Sequence, residues 1–302
     1  MTNQAACRVA VIGLGSMGYG MALSLLRSGL TVVGCDVNAA NVERLVAQGG
    51  LGALTPAQAA FAADIVISVV VNAAQTEAIL FGPNGVNETL PEGSVFISSA
   101  TMAPEIARRL AATLEATGKL YLDAPISGGS VRASEGALTV LASGSSAAFA
   151  KARPALDAIA AKLYELGDEA GLGAAFKMVN QLLAGVHIVA ACEAISFAAR
   201  QGLDIAKVYD VITASAGNSW MFENRVPHVL AGDYTPHSSI EIFIKDLGIV
   251  QDMARAWKFP VPMAASALQM FLASAGAGMG KDDDASVARL YAMISETTLP
   301  SS

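Results

Sequence analysis

The chain has 302 residues, a formal net charge of −7, 53% hydrophobic residues and 15% charged residues. This length favours two domains over one, and the apolar content is enough for large buried cores. The acidic balance, without any basic block, argues against a nucleic-acid-binding protein.

The first elements in chain order predict a dinucleotide-binding turn. Arg8–Ile12 is a short apolar, β-branched run typical of a strand, and the turn Gly13-Leu-Gly-Ser-Met-Gly18 leads from it into a helical pattern. The next strand ends at Asp36, eighteen residues after Gly18. This spacing within a βαβ unit indicates a cofactor site rather than a glycine-rich turn without a ligand. The predicted cofactor contacts here are Gly13, Leu14, Gly15, Ser16, Met17, Gly18, Asp36 and Val37.

The acid at position 36 favours NAD over NADP. A carboxylate there accepts hydrogen bonds from the ribose hydroxyls but repels a 2′-phosphate. No arginine lies among the next four residues, and Arg44 is expected further along the following helix. The alternative is that Asp36 only caps that helix, a role that Asn38 can fill instead.

Alternating strands and helices continue to residue 166. The predicted strands are Leu30–Asp36, Asp64–Val71, Ser94–Ser99, Lys119–Asp123, Leu138–Ala142 and Lys162–Leu166. We therefore expect a Rossmann-type α/β domain with a mostly parallel sheet over residues 1–166. Ligands bind at the carboxyl ends of such strands, where Val71, Asn72 and Thr101 lie.

The loop Ser127-Gly128-Gly129 follows the strand that ends at Asp123. Its backbone N–H groups suit a carboxylate, so it is a candidate substrate loop. An ordinary strand-to-helix turn is the alternative, and the loop alone does not separate the two.

From residue 167 to residue 302 the pattern is helical, which predicts an all-α substrate and oligomerisation domain. It is led by a long interdomain helix, which we expect from Gly171 to Arg200. Lys177, Asn180 and Gln181 are three and four residues apart, so they project together. They are either a solvated face with a snorkelling lysine or a buried proton-transfer group with amide partners. An apolar stripe also follows helical spacing, at Phe176, Val179, Leu183, Val186 and Ala190.

The remaining segments predict further helices. Asp204 is expected to cap a helix ending near Ile212, and Glu241–Trp257 forms a helix that carries Lys245. Trp220 and Phe222 are more typical of a core than of a ligand contact. Two more helices are expected at 263–275 and 284–295, and Lys281–Asp284 is expected to be a solvated helix start.

Four motifs, taken together, resemble the β-hydroxyacid dehydrogenase family, typified by 3-hydroxyisobutyrate dehydrogenase. They are Gly13–Ala22, Asp123–Gly129, Gly171–Asn180 and Lys245–Val250, in the family's order along nearly the whole chain. The resemblance implies that Lys177 is catalytic and that Asn180 acts beside it. It implies that Ser127, Gly128, Gly129, Asn180 and Gln181 hold the substrate, and that Thr101 and Lys245 touch the nicotinamide end.

The stretch Ala216–His228 resembles the sugar-acid branch of that family, which implies L-threonate as substrate, oxidised at C2. Gln181 departs from the second Asn that many relatives have at this position. The alternatives are a tartronate-semialdehyde reductase or 3-hydroxyisobutyrate dehydrogenase, an imine reductase, and, in another class, a non-catalytic NAD-binding sensor.

We expect a small hydroxy acid and NAD as ligands, with neither nucleic acid nor membrane as a partner. A homodimer or homotetramer is expected. The three cysteines are scattered, the three histidines are dispersed and the N-terminus lacks the features of a signal peptide. These features predict a cytoplasmic protein without a metal site.

Overall fold

The computed structural model describes residues 7–300. It divides into two compact units, of which the first ends at Lys177 and the second begins at Met178.

The first unit is built on a six-stranded parallel sheet in the order β3-β2-β1-β4-β5-β6. The strands are β1 (Arg8–Ile12), β2 (Thr31–Cys35), β3 (Leu51–Gly52), β4 (Ile65–Ser68), β5 (Val95–Ser98) and β6 (Leu120–Asp123). The connecting helices are α1 (Ser16–Arg27), α2 (Ala39–Val46), α3 (Pro56–Ala60), α4 (Ala73–Phe81) and α5 (Pro104–Glu115). β4 and β5 are buried along their whole length, as strands covered by helices on both faces should be. The order and the parallel pairing confirm the Rossmann-type prediction.

The last predicted strands do not extend this sheet. β8 (Leu138–Ala142) and β9 (Ala160–Glu165) form a separate three-stranded sheet with β7 (Ile126–Ser127), in the order β7-β8-β9. β7 pairs antiparallel with β8 because only the short helix α6 (Gly129–Glu135) joins them. α7 (Ser146–Ile159) connects β8 to β9, which pair in parallel.

The helices of the second unit agree with the all-α prediction. α8 (Leu172–Arg200) begins in the first unit, and the rest are α9 (Ile205–Thr213), α10 (Trp220–Ala231), α11 (Ile240–Ala256), α12 (Pro262–Ser274) and α13 (Val287–Ser295). Asp204 caps α9, as expected, by accepting from the Ala206 N–H at 3.0 Å. The sequence reasoning missed α10, which carries Pro227 and begins at a Trp220 that is 50% exposed rather than in the core.

The acidic run at 281–284 corrects another prediction, because Asp283 and Asp284 are buried rather than solvated. Asp284 pairs with the guanidinium of Arg225 through two contacts, at 2.5 and 3.1 Å. Asp283 lies 2.9 Å from Nδ1 of His228 and also accepts from backbone N–H groups. These partners lie 55 and 59 residues away in sequence, so local charge patterning could not identify them.

The first part of α8 buries two polar side chains and exposes several large apolar ones. Lys177 and Gln181 are each only 7% exposed. Phe176, Val179 and Leu183, by contrast, are 52%, 63% and 49% exposed. By length and composition α8 could cross a membrane, although 44% of its most apolar window is buried within the protein. A core helix meets the same criterion, and the buried amine and amide distinguish α8 from a uniformly apolar span.

Candidate functional site

The three glycines of the glycine-rich turn are each required for a different structural reason. Gly13 has φ = +93°, and a Cβ on it would collide with the carbonyl oxygen of Val69. A Cβ on Gly18 would collide with the carbonyl of Gly13, so this glycine permits close packing of α1 on the sheet. Gly15 is different, because apart from its own chain neighbours no described residue lies within 4 Å of where its Cβ would be.

The open space beside Gly15 leaves room for a bound ligand. Gly15 is the N-cap residue of α1, is itself exposed, and no described side chain caps the first turn. Its backbone can therefore approach a pyrophosphate, and the free N–H groups of the helix end face an anion. The three glycines thus have the roles that a dinucleotide-binding turn requires.

Asp36 lies just after β2 and is held by the same turn. Its Oδ2 accepts from the Leu14 N–H at 2.5 Å, and its Oδ1 accepts from the Asn38 N–H at 2.7 Å. Asn38, not Asp36, caps α2, since its side chain accepts from the Ala40 N–H. The carboxylate therefore orders the glycine-rich turn and stays at the strand end where a ribose is expected.

The other predicted cofactor contacts of the first unit follow neighbouring strands. Asn72 caps α4 by accepting from the Gln75 N–H at 2.9 Å, and Val71 and Val37 are exposed. β4 ends at Ser68, three residues earlier than predicted, so Val71 lies in a loop. Thr101 lies in the loop between β5 and α5. All of them lie beyond the carboxyl ends of parallel strands, where ligands of this fold class bind.

The candidate substrate loop begins in β7 and turns sharply at its two glycines. Gly128 has φ = +138° and Gly129 has φ = +77°, both in the region that favours glycine. A Cβ on Gly128 would lie 3.0 Å from Cδ of Arg132, whereas one on Gly129 would meet nothing within 4 Å. The loop is thus tightly built at Gly128 and open at Gly129.

Lys177 lies against this loop. Its Nζ donates to the carbonyl oxygen of Ile126 at 2.9 Å, one residue before Ser127. The structure therefore brings the predicted catalytic amine and the predicted substrate loop together within the first unit, although 51 residues separate Lys177 from Ile126. The burial of the amine agrees with the proton-transfer interpretation of this face and disagrees with the solvated one.

The first turn of α8 is fixed by residues that the sequence analysis did not single out. Oδ2 of Asp123 accepts from the Gly171 N–H at 2.9 Å and from the Ala174 N–H at 2.8 Å. Oγ of Ser143 accepts from the Gly173 N–H at 2.9 Å. A Cβ on Gly173 would lie 2.8 Å from the carbonyl oxygen of Asp123, so only glycine allows this approach. Asp123 belongs to the motif of the substrate loop, and that was the only signal in the sequence.

The second unit holds a separate polar chain on α8 and α11. Nδ2 of Asn180 donates to Oε1 of Gln181 at 2.9 Å, and Nε2 of Gln181 donates to Oδ2 of Asp246 at 2.5 Å. Oδ1 of Asp246 pairs with Nζ of Lys245, also at 2.5 Å. Lys245 is therefore ion-paired rather than simply solvated, Asp246 and Gln181 are buried, and Asn180 is exposed. Sequence reasoning had not identified Asp246 as the link.

No group of three His, Cys, Asp or Glu side chains within residues 7–300 is arranged to hold a metal ion. The predicted site residues of the described chain offer a buried amine, polar amides, backbone N–H groups and the glycine-rich turn.

Two families match the chain, one for each part. Residues 8–167 match the NAD-binding domain of 6-phosphogluconate dehydrogenase. Residues 171–291 match the family described as NAD-binding of NADP-dependent 3-hydroxyisobutyrate dehydrogenase.

Curated relatives match over nearly their whole length. The chain is 50% identical to an L-threonate dehydrogenase of Cupriavidus necator, over 94% of this chain and 95% of that protein. It is 48% identical to an L-threonate dehydrogenase of Escherichia coli, over 97% and 96% of the two chains.

Solved structures have the same fold. The crystal structure of 3-hydroxyisobutyrate dehydrogenase from Salmonella typhimurium matches with a TM-score of 0.90 and 47% identity, over 94% of this chain and 99% of that one. The enzyme of the same name from Mycobacterium tuberculosis, with L-serine, matches with a TM-score of 0.81 and 28% identity, over 94% and 99%. The chain therefore belongs to the family of NAD-binding hydroxyacid dehydrogenases that includes the L-threonate dehydrogenases.

Proposed function

We propose that the chain oxidises L-threonate at C2 with NAD, and that Lys177 takes the hydroxyl proton. The observation that carries this proposal is the buried amine of Lys177 at 2.9 Å from the Ile126 carbonyl, next to Ser127. The names of the relatives at 48–50% identity support the substrate. The contact supports the role proposed for Lys177, and the relatives' names support the hydroxy acid.

The reaction divides into a hydride transfer and a proton transfer. Bound NAD supplies the hydride acceptor, and the protein binds, orients and moves one proton. Lys177, as the neutral amine, accepts the proton of the C2 hydroxyl while the hydride leaves C2. The products are the 2-oxo acid, NADH and one proton. In the reduction direction the same group returns the proton.

The substrate carboxylate is assigned to the backbone N–H groups of Ser127, Gly128 and Gly129. The positive φ values at the two glycines mark a sharp turn, and successive backbone N–H groups in a turn can bind an anion. Asn180 is proposed to hold the reacting hydroxyl. Gln181 stays a predicted substrate contact, and its two hydrogen bonds also orient the amide of Asn180.

We propose NAD rather than NADP as the cofactor. The carboxylate of Asp36 lies at the end of β2, and a 2′-phosphate there would face its charge. Arg44, the nearest candidate to neutralise such a phosphate, stacks on the ring of Tyr19 at 4.1 Å. Val71, Asn72, Thr101 and Lys245 remain proposed cofactor contacts.

A homodimer or homotetramer is proposed for the functional state, and the exposed stripe of α8 supports it. Exposed or half-buried apolar residues recur at spacings of three and four along the helix, at Leu172, Phe176, Val179, Leu183, Val186 and Ala190. This is the repeat that packs helices against each other. Leu183→Glu should lower the oligomeric mass measured by light scattering after gel filtration. An unchanged mass would exclude this stripe as the interface.

We also propose that the protein works in the cytoplasm.

The test of function is a screen of C3–C6 hydroxy acids with NAD and NADP, following NADH or NADPH absorbance. L-threonate with NAD should give the highest kcat/KM. A higher value for 3-hydroxyisobutyrate, or for tartronate semialdehyde in the reduction direction, would replace the substrate and keep the enzyme class. Reduction of a cyclic imine alone would replace the reaction type. NAD binding without turnover of any acid would indicate a sensor.

A further inference from the structure

The carboxylate of Asp123 caps the first turn of α8, the helix that carries Lys177, although Asp123 lies far from this helix in sequence. It accepts two N–H groups of the first turn of α8, from residues that lie 48 and 51 positions later in the chain. Residue 171, just before α8, is a glycine and has no side chain that could cap this turn. Asp123 is fully buried, so it does not touch a substrate directly.

The same short segment fixes Lys177 itself. Asp123 holds the start of the first turn of α8, and the Ile126 carbonyl accepts from Lys177 Nζ one turn later. The backbone of Asp123 is in turn tied to Ser143 by N–H···O bonds of 3.0 and 2.8 Å, and Ser143 Oγ accepts from Gly173. These contacts fix the position of the first turn of α8 relative to the substrate loop within the first unit.

We propose that Asp123 is a positioning residue for proton transfer by Lys177. Its ionised carboxylate, facing the positive end of α8, holds the first helical turn so that the amine lies beside Ser127. The inference rests on the proposed role of Lys177. It deepens that role by naming the group that places the amine.

The charge on Asp123 is the part of this arrangement that pH controls. Burial raises the pKa of Asp123 to about 6, and the backbone donors and Ser143 oppose that rise. Arg108 on α5 is the cation that acts on it, and Tyr121 on the same strand is the neighbouring titratable group. Oδ1 is buried and makes no hydrogen bond within the described chain, so it is the oxygen available to a proton. Protonation then weakens the hold on α8.

Asp123→Asn tests the proposal because it removes the charge and keeps the size. We expect kcat for L-threonate oxidation to fall 10- to 100-fold, the range for a small misplacement of a reacting group. The Kd of NAD should stay within about twofold, because the glycine-rich turn is untouched. Wild-type kcat should fall as the pH is lowered through about 6, because Asp123 becomes protonated. This fall should be absent from the variant.

Asp204→Asn is the matched control, since it makes the same substitution at an exposed cap of a helix that lacks Lys177. It should leave kcat and its pH profile unchanged. Ser143→Ala removes the neighbouring acceptor and should lower kcat in the same direction as Asp123→Asn. If Asp123→Asn does not fold, Ser143→Ala together with the wild-type pH profile decides the question. Normal kcat in the serine variant, with no decline near pH 6 in the wild type, would overturn the proposal.

A double-mutant cycle separates this inference from the proposed function. If Asp123 acts through Lys177, Asp123→Asn should cause no further loss in kcat when Lys177 is already alanine. A further tenfold loss on that background would overturn the positioning role. Nearly full activity of Lys177→Ala alone would instead overturn the proposed function. Asp123 would have a purely structural role if Asp123→Asn lowered kcat but kept the wild-type pH profile, and if its loss in kcat added fully to that of Lys177→Ala.

Discussion

The amide of Gln181 donates to the carboxylate of Asp246 at 2.5 Å, and both side chains are buried. The same carboxylate pairs with Lys245, and the amide oxygen of Gln181 accepts from Asn180. A predicted cofactor contact and a predicted substrate contact are therefore joined through two buried groups. A change at either buried group should affect both ends.

Gln181→Met is expected to weaken this chain while nearly preserving side-chain volume. Asp246 would keep Lys245 but lose a second donor, which costs about 1–3 kcal/mol for a buried polar group. The amide of Asn180 would lose its orienting partner, so the KM for L-threonate should rise by about tenfold. Steady-state kinetics and urea unfolding measure the two effects. Gln201→Met, at an exposed glutamine just past the same helix, should change neither.

Lys177→Ala should abolish most turnover without unfolding the protein. A positioned proton-transfer group contributes about 10²–10⁴-fold to kcat, and NAD affinity should change little because the glycine-rich turn is intact. Lys207→Ala, at an exposed lysine, is the control and should retain full kcat.

Lys177→Arg should be almost as inactive as the alanine variant. A guanidinium can still donate to the Ile126 carbonyl, but it stays protonated and cannot accept a proton. Rapid-quench and steady-state rates both report this step. More than a tenth of wild-type kcat in the Arg variant would make Lys177 an electrostatic anchor rather than a base.

We expect the wild type to prefer NAD over NADP by at least tenfold in kcat/KM, or about 1.4 kcal/mol. Asp36→Asn should lower this preference. The amide keeps an acceptor for the Leu14 N–H, so the glycine-rich turn should stay ordered. Asp36→Ala loses both the charge and that bond, and should weaken the binding of both cofactors. Equal kcat/KM with NAD and NADP in the wild type would contradict the assignment.

Gly129→Ala is expected to raise the KM for the acid several-fold while leaving the Kd of NAD nearly unchanged. The added methyl group has space, but φ = +77° makes alanine strained by about 1 kcal/mol, which shifts the loop. Gly29→Ala, at φ = +81° and also in open space, carries the same strain outside the substrate loop, just after α1. If both variants weakened NAD binding equally, the loop would be a folding element instead.

The sequence predicted features whose signals are local. The glycine-rich turn and Asp36 lie within one βαβ unit, and the polar face of α8 lies within five residues of Lys177. It did not predict what depends on distant partners. Asp123 caps a helix 48 residues away, and Gln181 bonds to Asp246 65 residues away. The buried Asp283 and Asp284 pair with His228 and Arg225. Periodicity identified the apolar stripe of α8 but could not tell which side faces solvent.

The free energy of unfolding should change with pH because the carboxyl group of Asp123 is buried. Burial raises the folded-state pKa from 3.8 to about 6, so the fold disfavours the ionised form by on the order of 3 kcal/mol. This contribution to stability is fully present below pH 3.8 and is lost as the pH rises through 6.

Asp123→Asn cannot ionise, so the difference in unfolding free energy between the variant and the wild type should shift in favour of the variant by up to about 3 kcal/mol as the pH rises from 4 to 8. Urea unfolding of both proteins at pH 4.5 and pH 8 measures that difference directly. Asp204→Asn, at an exposed cap, should show no such pH-dependent gain. A constant difference between wild type and Asp123→Asn at both pH values would mean that Asp123 does not titrate in this range. The expected result is a variant whose stability relative to the wild type rises with pH and whose kcat is low, because the ionised carboxylate costs folding stability and, in our proposal, positions Lys177.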